Sequence, residues 1–145
     1  MQTVEAWLTV PAGPWRRAVE VYDPDSAPDP EPWLALDEWE RLDLVQAAVS
    51  DEPHLPNPKL HATFHLIVEN QVAMGDETPV AAALERLIGE GLSRHDAVHA
   101  VGSVLSSHVY RAMRLGGEAL DGGDPNESYW LDLDSLTAEV WRRSR

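Results

Sequence analysis

The stretch N-P-K-L-H-A-T-F-H-L-I-V-E-N-Q, Asn57 to Gln71, decides the fold class. Asn is a good N-cap and Pro is tolerated at the first helical position, so a helix is predicted from Asn57 or Pro58 to the break at Gly75. His61, His65 and Glu69 follow at four-residue steps. Residues four apart project from one helix face, ~6 Å apart at Cβ. The two imidazoles can therefore converge on one ion. Four residues overshoot a turn of 3.6, so the face drifts by ~40° per step and Glu69 becomes a neighbour of the pair. Glu69 can serve there as a ligand, as a group that orients one, or as the catalytic base.

The pattern repeats downstream. His95 and His99 form a second pair in R-H-D-A-V-H, on a helix predicted from the capping Ser93 to Gly116-Gly117. Between them, Thr78-Pro79 opens a helix that ends at Gly91. That connecting helix is expected to let the two His-bearing helices run parallel, side by side. Upstream, Leu36, Trp39, Leu42, Val45 and Val49 recur at three- and four-residue steps, which predicts one helix from Trp33 to near Ser50. Pro53, Pro56 and Pro58 interrupt any continuation. Downstream, L-D-G-G-D-P-N-E-S reads as a loop, and Leu133 or Ser135 opens a last short helix.

These elements make a mainly α protein, a small helical bundle, with residues 33–145 as the helical metal-binding domain. Residues 1–22 form an N-terminal extension, irregular or a β-hairpin around Pro11–Pro14, with a short helix from Trp15 as the competing reading. Residues 23–32 are rich in Pro and Asp and are expected as an extended, solvated linker.

Composition narrows the function. Of 145 residues, 43% are hydrophobic, enough for a real core. The net charge of −14 opposes binding to nucleic acid or anionic lipid, which relies on Lys and Arg at phosphates. With no cysteine, thiolate zinc sites, iron–sulfur clusters and cysteine nucleophiles are excluded. No apolar run approaches the ~20 residues that span a bilayer. The start has no basic stretch followed by an apolar core, so the expected location is the cytoplasm. Trp7, Trp15 and Trp33 suit contact with a protein partner or a second copy of the chain, or simply cover the bundle.

His61, His65, His95 and His99, with Glu69, are thus the candidate metal ligands. Imidazole and carboxylate suit a divalent transition ion such as zinc, iron or nickel. Three imidazoles and one carboxylate would leave a position for water, as hydrolytic and redox centres need. The competing reading is a non-catalytic binding or regulatory module, its helices stapled by a structural metal or by a hydrogen-bonded histidine core. His54 is expected to be solvated, His108 to be packing or surface.

The 57–71 stretch resembles N-P-x-L-H-x-x-x-H-x-x-x-E-x-Q. Followed by a later H-x-x-x-H, here His95 and His99, that pattern marks an uncharacterised family of small bacterial helical proteins, a domain of unknown function. The resemblance covers roughly Trp33 to Leu115. It implies one site holding all five residues, and no activity. His95-Asp96 also resembles the dyad of HD-type metal-dependent phosphohydrolases. Those enzymes need a later metal-binding Asp, for which this chain offers Asp121 and Asp124 in a Gly-rich loop.

Overall fold

Asp37 breaks the first predicted helix in two. Its side chain accepts from the Glu40 backbone N–H, and Glu40 reaches back to the Asp37 N–H, a capping box that starts a new helix. In the computed structural model, which describes residues 19–50, 52, 57–115 and 124–145, the chain therefore runs α1 (Pro30–Ala35) and α2 (Glu38–Val49). α3 (Pro58–Ala73) follows, then a 3₁₀ turn (Gly75–Glu77), α4 (Val80–Gly89), α5 (Arg94–Leu115), α6 (Glu127–Ser135) and α7 (Ala138–Arg143). The protein is a mainly α helical bundle. Among the described residues no helix is long and apolar enough to cross a membrane. The expected N-terminal hairpin, Trp7, Trp15, His54 and Asp121 lie outside the described residues.

The starts of α3 and α5 follow the sequence. Asn57 accepts from the Leu60 N–H with Pro58 at the first helical position, and the Ser93 hydroxyl accepts from the Asp96 N–H. α4 ends in a Schellman motif: Leu92 N–H bonds to Leu87 C=O and Gly91 N–H to Ile88 C=O. Gly91 has φ 106°, which favours glycine, and the buried Leu87 and Leu92 close the motif with an apolar contact.

α3 sits between two cores. Ala62 and Leu66 join Tyr22, Trp33, Val45 and Val49 on one side. Val68, with Phe64, Ile67 and Val72, joins α4, α5, α6 and α7 on the other. A helix that serves two cores holds its remaining face, the one bearing His61 and His65, in a fixed orientation.

Four expectations change. Trp39 is 74% exposed rather than part of the apolar stripe, because the capping box rotates α2 relative to a continuous helix. Residues 127–135, read partly as loop, form α6, and Thr137, whose hydroxyl accepts from Val140 N–H, starts α7 later than predicted. The 23–32 segment leaves linker character early: Asp23–Ser26 turns against α5, and α1 begins at Pro30. Trp33 is fully buried with its indole N–H on Asn70 Oδ1, so of the two uses expected for it, it covers the bundle core.

Candidate metal centre

α3 and α5 meet in the opposite sense to the one expected. Glu69 pairs with Arg94, His65 faces His95 and His99, and His61 faces His99. Numbers rise along one helix as they fall along the other. The buried Arg94–Glu69 ion pair, joining the first turn of α5 to the later half of α3, sets that direction.

The four rings nonetheless come together. Ring centroids are 4.9 Å apart for His61–His65, 4.9 Å for His61–His99, 4.9 Å for His65–His99 and 4.4 Å for His95–His99. The carboxylate among them belongs to Glu52, from the segment between α2 and α3. Its Oε2 lies 2.6 Å from His61 Nε2, and its Oε1 lies 2.5 Å from His95 Nε2 and 3.5 Å from His99 Nε2.

These contacts are close, yet none is aligned as a hydrogen bond. The Nε2 atoms of all four histidines and Glu52 Oε1 are buried and lack a hydrogen-bond partner. Each such atom costs about 1–3 kcal/mol to leave unsatisfied. One ligand atom from each of Glu52, His65, His95 and His99 lies within 4.8 Å of all the others. Tetrahedral ligand atoms about 2.1 Å from a common ion lie about 3.4 Å apart, so side-chain movements of about an ångström would bring the four onto one ion. His61, on the other carboxylate oxygen, stands beside this group as a fifth donor.

Glu69 has a different job from the one expected. It is 1% exposed, and both its oxygens are engaged. Arg94 Nη2 donates to Oε1 at 2.7 Å and Nη1 to Oε2 at 2.8 Å, while the Tyr22 hydroxyl also donates to Oε2. A carboxylate so held is turned toward Arg94 and Tyr22, and it stands outside the group of facing donor atoms formed by Glu52, His65, His95 and His99. Its influence passes through Tyr22. The hydroxyl has one hydrogen, which goes to Glu69, so at 3.3 Å from His65 Nδ1 it accepts from that nitrogen. The proton of His65 is thereby assigned to Nδ1, and Nε2 presents its lone pair to the site.

Electrostatics agree with this assignment. Burial, then the neighbouring His99, His61 and His95, push the His65 pKa down to about 2. Burial and His95 push His99 down to about 4, against the opposing pull of Glu52. Both imidazoles are neutral at neutral pH, the state a ligand requires. Burial and then Glu69 raise the Tyr22 pKa, keeping it a phenol donor. Burial lowers the Arg94 pKa, but Glu69 outweighs it and the net shift is upward. Tyr22→Phe removes the oxygen that holds His65 Nδ1–H. It should weaken zinc binding by about 10–100-fold, the usual cost of losing a group that orients a ligand, as read by competition with a chromogenic chelator. Unchanged affinity would show that Tyr22 does not set the tautomer.

The donors help to line a cavity of about 630 Å³, walled further by Phe64, Val98 and Trp141. Gln71 of the family pattern and its neighbour Asn70 hold the frame. Gln71 Oε1 accepts from the buried Tyr129 hydroxyl at 2.8 Å, and Asn70 Oδ1 accepts from Trp33 and Arg41. His108 stacks on Tyr129 with Nδ1 by Ser128 Oγ, away from the site. Asp96 lines the cavity 3.7 Å from Arg145 and is outside the donor group, which the HD-type reading would need it to join.

No curated protein and no solved structure matches the chain. The chain belongs to the family described as a domain of unknown function (DUF1841), whose model matches residues 30–126.

Proposed function

We propose that this protein binds a divalent transition-metal ion through Glu52, His65, His95 and His99, with His61 alongside, and that the centre is catalytic. The observation that carries the reading is the set of buried, unpartnered donor atoms: four imidazole nitrogens and one carboxylate oxygen, facing one another without hydrogen bonds. A mutually hydrogen-bonded histidine core would have aligned them. Zinc, iron and nickel all suit this donor set. Such an ion would supply Lewis acidity to a substrate oxygen or lower the pKa of a bound water. The cavity beside the donors favours catalysis over a purely structural ion.

The chain's own contributions are positional. α3 and α5 each supply two imidazoles at one helical step, Glu52 closes the group, and Tyr22 with Glu69 and Arg94 orients His65. The test is metal analysis of protein purified without a nickel column or His tag. Stoichiometric metal is expected, lost in Glu52→Ala and His99→Ala, with a lower melting temperature after chelation. Metal-free protein whose melting is indifferent to chelator and to added zinc would sink the proposal.

A further inference from the structure

One face of α5 carries both donors and cavity wall. His95, His99, Gly102 and Ser106 follow at steps of four, three and four residues, the spacing of one helix face, and all line the cavity. At ~1.5 Å per residue, the wall from His99 to Ser106 extends ~10 Å beyond the donors. Phe64 of α3 and Trp141 of α7 complete it, both packed against the apolar core and so held in place. The volume of about 630 Å³ far exceeds what an ion and its waters need, at ~30 Å³ per water, and suits a small molecule.

Gly102 gives this volume its meaning. Glycine in mid-helix is unfavourable, so a packing or backbone reason is usually found for it. Here there is neither: a Cβ at 102 would meet no atom within 4 Å, and its φ is outside the positive region that Gly75 and Gly91 occupy. A side chain at 102 would instead project beside His99 into the cavity. Ser106 keeps the next turn small, and its hydroxyl makes no hydrogen bond among the described residues, leaving a donor for a ligand.

The chemistry of the ligand follows from the lining. A divalent ion among neutral imidazoles and one carboxylate retains positive charge, which attracts an anionic oxygen. Phe64, Val98 and Trp141 add apolar surface, while Asp96 and Arg145, also in the lining, stand 3.7 Å apart as a pair. We propose that the cavity binds a small carboxylate with an apolar, ring-sized body, the carboxylate toward the metal donors and the body along Gly102 between Phe64 and Trp141. This rests on the metal-centre reading above.

The experiment is calorimetric titration of the zinc-loaded full chain with 3-phenylpropionate, acetate and 2-phenylethylamine. 3-Phenylpropionate is expected to bind at least about tenfold more tightly than acetate, as burial of a phenyl ring allows, and the amine not at all. Gly102→Leu should weaken 3-phenylpropionate by at least about tenfold while zinc affinity is unchanged, since Leu is a better helix former than Gly and ligates nothing. Gly102→Ala, which fills less, should fall between them and melt no lower than the parent. With zinc bound, failure of 3-phenylpropionate to bind, equal affinity for acetate, or indifference to Gly102→Leu overturns the pocket and leaves the metal centre standing. Failure to bind zinc overturns both.

Discussion

Glu69→Ala should destabilise the metal-free protein by about 3–5 kcal/mol, whereas Glu52→Ala should leave its stability nearly unchanged and abolish metal binding. The two glutamates sit close to the same histidines but in opposite electrostatic situations. Glu69 is fully buried and shares two parallel hydrogen bonds with Arg94, itself largely buried, plus one from Tyr22. Its removal leaves a buried guanidinium with only neutral partners, the Pro24 carbonyl and the Tyr22 hydroxyl, among the described residues, and leaves that hydroxyl without its acceptor. Breaking one side of a buried pair is costly for that reason. Glu52 has an oxygen that is buried and hydrogen-bonded to nothing, so its loss from the metal-free fold removes as much penalty as attraction. Urea unfolding of both variants in chelator, and zinc titration of both, read the contrast. The double variant Glu69→Leu, Arg94→Met should recover much of the loss, because it removes the stranded charge. Equal destabilisation by Glu69→Ala and Glu52→Ala would mean that the assignment of roles is wrong.

That contrast also marks where sequence reading stopped. The helix of Asn57 to Ala73 was fully legible: a cap, a proline at the first position, and imidazoles at one helical step. The four histidines were legible as a group because helical spacing is local information. Glu69 satisfied the same spacing as well as a ligand would. What withdrew it was Arg94, brought to it by the crossing of α3 and α5, and no local pattern encodes a crossing. Glu52 was illegible for the converse reason. It lies in a segment without periodicity, nine residues before His61, and only the path of the chain returns it to the rings. The sense in which α3 and α5 meet was lost likewise, since it shows only in contacts between residues far apart in sequence, such as Arg94 with Glu69. The break before α2 was different: Asp37 and Glu40 stand at capping-box spacing, a local signal outweighed by the apolar period running across it.

Acidification should destabilise the metal-free protein well before it reaches the range where carboxylates titrate. His65 has its folded pKa depressed to about 2 and His99 to about 4, against about 6.5 in an unfolded chain. Between the folded and unfolded values the unfolded chain binds more protons, so stability rises with pH and is lost as pH falls below about 6.5. The loss continues down to about 4 for His99 and about 2 for His65. The groups facing these rings fix the sign. His61 and His95 repel a proton on either, Arg94 repels one on His65, and Glu52 and then Asp96 favour one on His99. The His65 proton alone contributes a slope of about 1.4 kcal/mol per pH unit, and His99, partly solvated, adds a smaller amount. From pH 6.5 to 5 this removes about 2 kcal/mol or more, a large share of a typical 5–15 kcal/mol. The midpoint of urea unfolding, followed by tryptophan fluorescence in chelator from pH 8 to 4.5, should therefore be flat above pH 7 and fall steadily below 6.5. His65→Phe, which fills the site without a titrating group, should flatten much of the decline. A midpoint that stays level to pH 4.5 in the parent chain would mean that these imidazoles accept protons in the folded state, and so that they are not held neutral facing one another as the geometry of the centre requires.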